Sequence, residues 1–218
     1  MTKRVIEPEE LDHVDDVCAQ RNLRELVKIN RFFGGHAITV DLLRSLRPPR
    51  RFRLLDVGAA SGDHGLAIRY AFPGAQIYSA DRLVRNLAIC PGPRLAADAF
   101  ALPFSPRSFD YVFSSLFLHH FDDLQVVRLL QEFDRVSRRA VIAVDLHRHA
   151  LARAFLPATR RLFDWHEVTV SDGQRSVDAA WKKPELAALA REAGLPRVRL
   201  KTHIPWFRLS LISESRAA

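Results

Sequence analysis

Two kinds of side chain in this sequence have the type and spacing for chemistry. Histidines gather at His119-His120 and again at His147 and His149, each group just after an apolar run. Histidine near its ordinary pKa suits proton transfer near neutral pH. Single aspartates close or follow apolar runs at Asp56, Asp81, Asp98 and Asp145. Between Asp56 and Asp81 lies a small-residue turn, Gly58-Ala59-Ala60-Ser61-Gly62, which follows Leu54-Leu55-Asp56-Val57 and precedes a helical pattern resuming at Leu66. Gly58 and Gly62 let the backbone approach a ligand, and the first N–H groups of the next helix point toward it. Ala60 occupies the place where a dinucleotide fingerprint needs glycine against a pyrophosphate, and no Lys-Ser/Thr pair follows to make a triphosphate loop. The turn therefore suits a ligand whose amino-acid and adenosine parts are joined by a small, uncharged link.

The elements that must hold these residues read as alternating strands and helices. Strands are expected at Arg53–Val57, Gln76–Ala80, Arg94–Ala97, Phe109–Ser114 and Ala140–Val144, with helices at His64–Phe72, Leu83–Ile89 and after Asp122 or Asp123. That alternation predicts a parallel sheet with helices on both faces. Before it, residues 1–8 read as loose. A helix is expected from Pro8, a second from Asn22 with Glu25 as a capping box, and a third around Ile38–Leu46. After it, residues 146–183 break the rhythm with His147, His149, Phe155, Phe163, Trp165 and Trp181, and Asp172-Gly173 reads as a turn. A helix from Pro184 and two closing strands, Arg197–Ile204 and Trp206–Ile212, finish the chain. One domain is expected over 1–218, with a helical cap (1–50), a cofactor-binding core (51–145), a substrate-side insertion (146–183) and a C-terminal helix and strand pair (184–218).

Composition narrows the setting. Two cysteines, Cys18 and Cys90, indicate neither a disulfide frame nor a metal cluster and suit a reducing cytoplasm. No stretch approaches the length of a membrane span. The net charge is +8, with arginine well ahead of lysine, yet the arginines are spread along the chain, so nucleic acid is not the expected partner.

Taken in order, Asp56 and its glycine turn, Asp81, Asp98-Ala99 before Leu102-Pro103-Phe104, Phe109-Asp110-Tyr111-Val112 leading to Leu118-His119-His120, and the closing strand pair resemble class I S-adenosylmethionine-dependent methyltransferases from about Arg53 to Ile212. Asp145-Leu146-His147-Arg148, Asp172-Gly173 with Ser176-Val177, and Asn30-Arg31 with Gly34-Gly35-His36 are similar to a bacterial small-molecule subgroup of the quinone and phenol-methylating kind. Ala60 departs from the pattern, which more often has glycine. The resemblance implies a Rossmann-like seven-stranded α/β sheet whose last strand is antiparallel. It implies S-adenosyl-L-methionine as cofactor, with S-adenosyl-L-homocysteine as product.

The implied cofactor-binding residues are Asp56, Gly58, Ala60, Ser61, Gly62, Asp81, Arg82, Asp98, Ala99, Ser114, Ser115 and Arg31. Asp81 would take the ribose hydroxyls and Asp98-Ala99 the adenine amino group, with Phe100 or Leu83 on the ring. Asp56 would order the glycine loop or meet the ammonium through water, and Ser114, Ser115 and Leu116 would line the methionine side. His36 is a further candidate for the cofactor carboxylate. The expected reaction is methyl transfer to a small hydrophobic aromatic, with His120 and His147 as the favoured bases among His119, His120, His147 and His149. No metal is expected, since Ser114-Ser115 stand where metal-dependent relatives have an aspartate and Asp145 alone makes no hard-cation site. An RNA or protein methyltransferase and a non-catalytic cofactor-binding protein are the competing readings. Monomer and homodimer are both compatible with the sequence.

Overall fold

The computed structural model describes residues 4–7, 16–88, 90 and 92–215. A seven-stranded sheet carries the structure: β1 (Phe52–Val57), β2 (Ala75–Asp81), β3 (Arg94–Ala96), β4 (Phe109–Ser115), β5 (Ser137–Leu146), β6 (Val198–His203) and β7 (Arg208–Glu214), in spatial order β3-β2-β1-β4-β5-β7-β6. β1 to β5 are parallel, and β7 runs antiparallel between β5 and β6. The helices are α1 (Asp16–Phe32), α2 (Gly35–Ser45), α3 (Asp63–Ala71), α4 (Val84–Leu87), α5 (Asp123–Val136), α6 (Ala150–Phe163), α7 (Glu167–Ala179) and α8 (Lys183–Glu192).

β1 and β4 are buried along nearly their whole length because both faces of the sheet are covered. Leu55, Val57, Val112, Val141, Leu209 and Leu211 face α5 and α8 through Leu129, Leu130, Phe133 and Leu186. Leu54, Tyr111, Phe113, Ile142 and Ile212 face the other way, onto Ile38, Leu43 and Ile68 of α2 and α3. α5 starts on a full capping box, with Asp122 accepting from Gln125 N at 2.8 Å and Gln125 Oε1 accepting from Asp122 N at 3.0 Å, a device worth about 1 kcal/mol. The order reverses between β1 and β4, so a crevice opens at the carboxyl ends of those strands, where ligands of such sheets bind.

The strand-and-helix frame agrees with the sequence expectation; the N-terminal and insertion segments differ. The helix expected from Pro8 lies largely outside the described residues. Asn22 and Glu25 do not cap a helix, because α1 runs unbroken through them and both side chains are buried in other contacts. Asn22 Nδ2 donates to Thr169 Oγ1 (3.2 Å), and Glu25 accepts the His166 backbone N–H (3.0 Å). Arg4 lies in the segment read as loose, yet it is clamped in place. Its Nη2 donates to the carbonyls of His119 (3.0 Å) and Phe121 (2.6 Å), and its guanidinium stacks 3.5 Å over Trp181. Asp172-Gly173 is no turn but the middle of α7. A Cβ at Gly173 would meet the terminal methyl of Leu156 on α6, so any side chain there would have to displace it.

Candidate active site

The turn after β1 builds the first cavity. Gly58 has φ +69°, and a Cβ on it would strike the Phe117 ring, so only glycine fits. Gly58 N and Ala59 N both donate to Ala80 O, and Ala60 N donates to Asp81 Oδ2 at 3.0 Å. The carboxylate at the end of β2 therefore pins the loop; Asp81 Oδ1 takes Leu83 N (2.8 Å) and Asn86 Nδ2 (3.3 Å). Asp81 Oδ2, with a single donor, retains acceptor capacity beyond these bonds. Ala60 itself holds φ +45°, a left-handed conformation for a residue that has a Cβ.

This loop opens a cleft of about 590 Å³, lined by Asp56, Gly58, Ala60, Ser61, Asp81, Arg82, Asp98, Ala99 and Ser115, with Leu83, Phe100 and Phe117 as apolar surfaces. Asp98 accepts the Phe100 N–H at 2.9 Å. Asp56 is buried and its Oδ2 meets no donor. Burial, with Asp63 and Asp81 adding repulsion, pushes its carboxyl up to about 8. Loop ordering thus belongs to Asp81 rather than Asp56. Gly62 caps α3 in the left-handed region behind the lining. Ser114 is buried within β4, with its Oγ unpartnered, and does not reach the cleft. Arg31 is exposed, with its guanidinium 5.4 Å from the Phe32 ring, and also lies outside the lining.

A small network closes the α1–α2 side of the cleft. Asp63 Oδ2 lies 2.7 Å from His36 Nε2 and accepts Asn30 Nδ2 at 3.1 Å. Burial works against this carboxylate, but the His36 hydrogen bond and the two nearby imidazoles hold it well below the usual range. His64 Nδ1 meets Thr39 Oγ1 at 3.0 Å, and burial pushes its imidazole down to about 4. His36, Asp63 and His64 are the group among the described residues with metal-ligand types close together.

A second cavity of about 390 Å³ lies under α1, α6 and α7, walled mainly by Leu26, Ile29, Phe33, Leu116, Phe155, Leu156, Val177, Trp206 and Phe207. Phe33 makes edge contacts with Phe155, Phe163 and Trp206. Phe163 and Trp165 stack behind it, outside the lining. Leu26, Leu116 and His120 belong to both cavities and form the boundary between them.

The histidines divide sharply. His119 and His120 follow β4 in a single 3-10 turn (Leu118–His120), and their rings lie 4.2 Å apart. Both reach the apolar cavity. His119 is 3% exposed and is held by Asp145 at the end of β5: Nδ1 lies 2.6 Å from Oδ1, and the backbone N–H donates to Oδ2 at 3.1 Å. Burial pushes the Asp145 carboxyl up, but His119 and the Leu146 N–H outweigh it and hold it below its ordinary value. His147 is not brought to either cavity. Its N–H donates to Phe207 O, it bridges to Trp181, and burial with His149 beside it lowers its pKa. His149 caps α6 by accepting Leu151 N.

Sequence reasoning missed the Asp145–His119 pair, because the two residues are 26 positions apart and meet only when β4 and β5 lie side by side. Asn22, read from the sequence only as a helix cap, and Arg208, which carried no sequence signal, both line the apolar cavity.

Residues 55–144 match the family model described as "Methyltransferase domain". No curated protein matches the chain. Among solved structures, a Nostoc punctiforme protein described as an O-methyltransferase is 17% identical (TM-score 0.60) over 84% of this chain and 56% of its own. The plantazolicin methyltransferase BpumL, in complex with SAH, is 14% identical (TM-score 0.67) over 92% of this chain and 89% of its own. Human N-acetylserotonin methyltransferase, in complex with SAM, is 15% identical (TM-score 0.64) over 91% of this chain and 56% of its own. The chain thus spans little more than half the length of two of these. At such identities the likeness is one of fold. Residues 55–144 are thus similar to a methyltransferase domain, and the solved structures, two of them holding SAH or SAM, share the fold.

The cleft fits that cofactor on its own chemistry. A buried Asp56 carboxyl oxygen without a donor can accept from an ammonium, the acids at the ends of β2 and β3 suit hydroxyls and an amino group, and Leu83 and Phe100 suit a flat ring.

Proposed function

We propose that this chain transfers a methyl group from S-adenosylmethionine to an oxygen of a small hydrophobic aromatic acceptor, a phenol, quinol or polyketide-like molecule. The observation that carries the reading is the boundary at Leu26, Leu116 and His120, where a cleft of about 590 Å³ holding Asp56, Asp81 and Asp98 meets an apolar cavity of about 390 Å³. A donor seated in one can reach an acceptor seated in the other.

In this reading Asp81 takes the ribose, Asp98-Ala99 the adenine amino group, and Asp56 the ammonium. Gly58, Ala60, Ser61 and Gly62 shape the turn, Arg82 stands at its rim and Ser115 lines the sulfur side. The cofactor supplies the activated methyl group as a sulfonium substituent. The protein must align the nucleophile and exclude water. Leu26, Leu116, Phe33 and Phe155 make a dry wall for that purpose. Asp145 fixes His119 with its proton on Nδ1, which leaves Nε2 as the basic nitrogen. His119, its ring tilted against that of His120, is then placed to take the acceptor's hydroxyl proton as the methyl group passes from sulfur to the acceptor oxygen. His120, favoured from sequence, stands at the boundary itself, whereas His147 has no part in this account.

The helix α1 acts as a cap over both cavities, α2 packs on the sheet rather than over them, and α6 and α7 act as the substrate-side insertion. The apolar lining speaks against an RNA or protein acceptor. Two cysteines without paired spacing, Cys18 and Cys90, suit a reducing cytoplasm; no helix among the described residues is long and apolar enough to cross a membrane. Calorimetry with S-adenosylhomocysteine, followed by radiolabelled methyl transfer to a panel of phenols, quinols and catechols, tests the proposal. Cofactor binding with transfer to at least one aromatic hydroxyl is expected. Binding with transfer only to RNA or protein would replace the acceptor class, and binding with no transfer would favour a non-catalytic protein.

A further inference from the structure

The wall of the apolar cavity holds two buried polar atoms that the protein leaves unmatched. Arg208, the first residue of β7, is 2% exposed and lines the cavity. Its Nη2 donates to Asn30 Oδ1 at 3.2 Å, a neutral amide, while Nη1 has no partner. The nearby acids are already committed: Asp145 to His119, and Asp63 to His36 and Asn30. A buried guanidinium with neither a carboxylate partner nor a full set of acceptors is costly unless something else supplies them. Desolvation accordingly lowers its pKa to about 10.

Asn22 of α1 lines the same cavity. The Thr169 hydroxyl donates to the Glu25 carboxylate, so it can only accept from Asn22 Nδ2. That fixes the amide orientation and leaves Asn22 Oδ1 buried with no donor. One wall thus offers an unused cationic donor and an unused neutral acceptor within otherwise apolar surroundings.

We propose that the acceptor is an aromatic carboxylic acid, its carboxylate received by Arg208, with a hydrogen-bond-donating substituent set against Asn22. Arg208 is then the specificity-determining residue of the acceptor cavity. The inference rests on the small-aromatic reading given above and deepens it. A charge-assisted hydrogen bond formed by an already buried guanidinium is worth about tenfold to a hundredfold in affinity.

The test uses the full chain saturated with S-adenosylhomocysteine and two probes that differ only in the carboxylate, 3,4-dihydroxybenzoate and catechol. Calorimetry at neutral pH should show the acid binding about tenfold tighter or more. Arg208→Gln should abolish that preference while leaving S-adenosylhomocysteine affinity unchanged, and Arg208→Lys should keep part of it. Equal affinity of the wild type for the two probes overturns the inference, as does a preference that survives Arg208→Gln. Loss of S-adenosylhomocysteine affinity in both variants, with the preference intact, would assign Arg208 to the cofactor instead. If Arg208→Gln does not fold by circular dichroism, the wild-type pair and Arg208→Lys still decide. Equal binding of both probes sinks this inference alone; binding of neither sinks the aromatic reading with it.

Discussion

Asp145 holds His119 by two bonds at once, Oδ1 on the ring nitrogen at 2.6 Å and Oδ2 on the backbone N–H at 3.1 Å. The pair closes the end of β5 against the turn after β4. Arg4 locks that turn from outside through the His119 and Phe121 carbonyls. If Asp145 sets the tautomer of His119, Asp145→Asn should lower kcat by about a hundredfold to ten-thousandfold. Binding of S-adenosylhomocysteine should change little. Measured kcat with calorimetric cofactor affinity checks this; a kcat within twofold of wild type would remove His119 from the proton path.

The histidines give a contrast within one experiment. His119→Gln should reduce kcat by about a hundredfold or more. His147→Gln should leave kcat within about threefold, because His147 lines neither cavity. A larger effect of the His147 change than of the His119 change would reverse the assignment made here.

Asp56 makes stability depend on pH in a stated direction. Its carboxyl titrates at about 8 when folded, against 3.8 for the ordinary group. Between those values the folded chain keeps a proton that the unfolded chain has released, so stability contributed at Asp56 falls as pH rises from about 4 to about 8. His64, pushed down to about 4 from 6.5, acts oppositely and costs stability as pH falls through that window. Urea unfolding of wild type and Asp56→Asn at pH 5 and pH 8 isolates the first effect. The variant's stability relative to wild type should be clearly higher at pH 8 than at pH 5; a constant difference would mean that Asp56 is ionised throughout.

Ala60 pays a backbone cost that glycine would avoid. At φ +45° its Cβ crowds the following carbonyl, a penalty of about 1–2 kcal/mol, partly offset by the greater entropy glycine loses on folding. Ala60→Gly should therefore stabilise the chain by roughly 0.5–1 kcal/mol in urea unfolding and preserve cofactor binding. Destabilisation would show that the methyl group packs productively.

The sheet was legible because short apolar stretches such as Leu54-Leu55 and Ala140–Val144 are cut off by aspartate, glycine and proline, and its seven-stranded order with an antiparallel β7 follows the family resemblance. The cleft around Gly58, Asp81 and Asp98 was legible for the same reason: these residues sit where strands end. What escaped the sequence was long-range pairing. Asn22 and Glu25 have the spacing of a capping box, but α7 buries both and uses their side chains. Asp172-Gly173 has the look of a turn, yet it lies within α7, where Leu156 of α6 sits against the glycine. Ser114 alternates into the sheet while its neighbour Ser115 reaches the cleft, a difference of one residue that strand register decides. Arg208 reads as one arginine among many until β7 places it beneath an apolar cavity.

The most direct test of the account is a crystal structure of the chain with S-adenosylhomocysteine. The adenosyl group should lie between Leu83 and Phe100 with its ribose at Asp81, and the sulfur should face the apolar cavity across Leu26, Leu116 and His120. Density for the ligand anywhere else, or a sulfur turned away from that boundary, would contradict the proposed transfer.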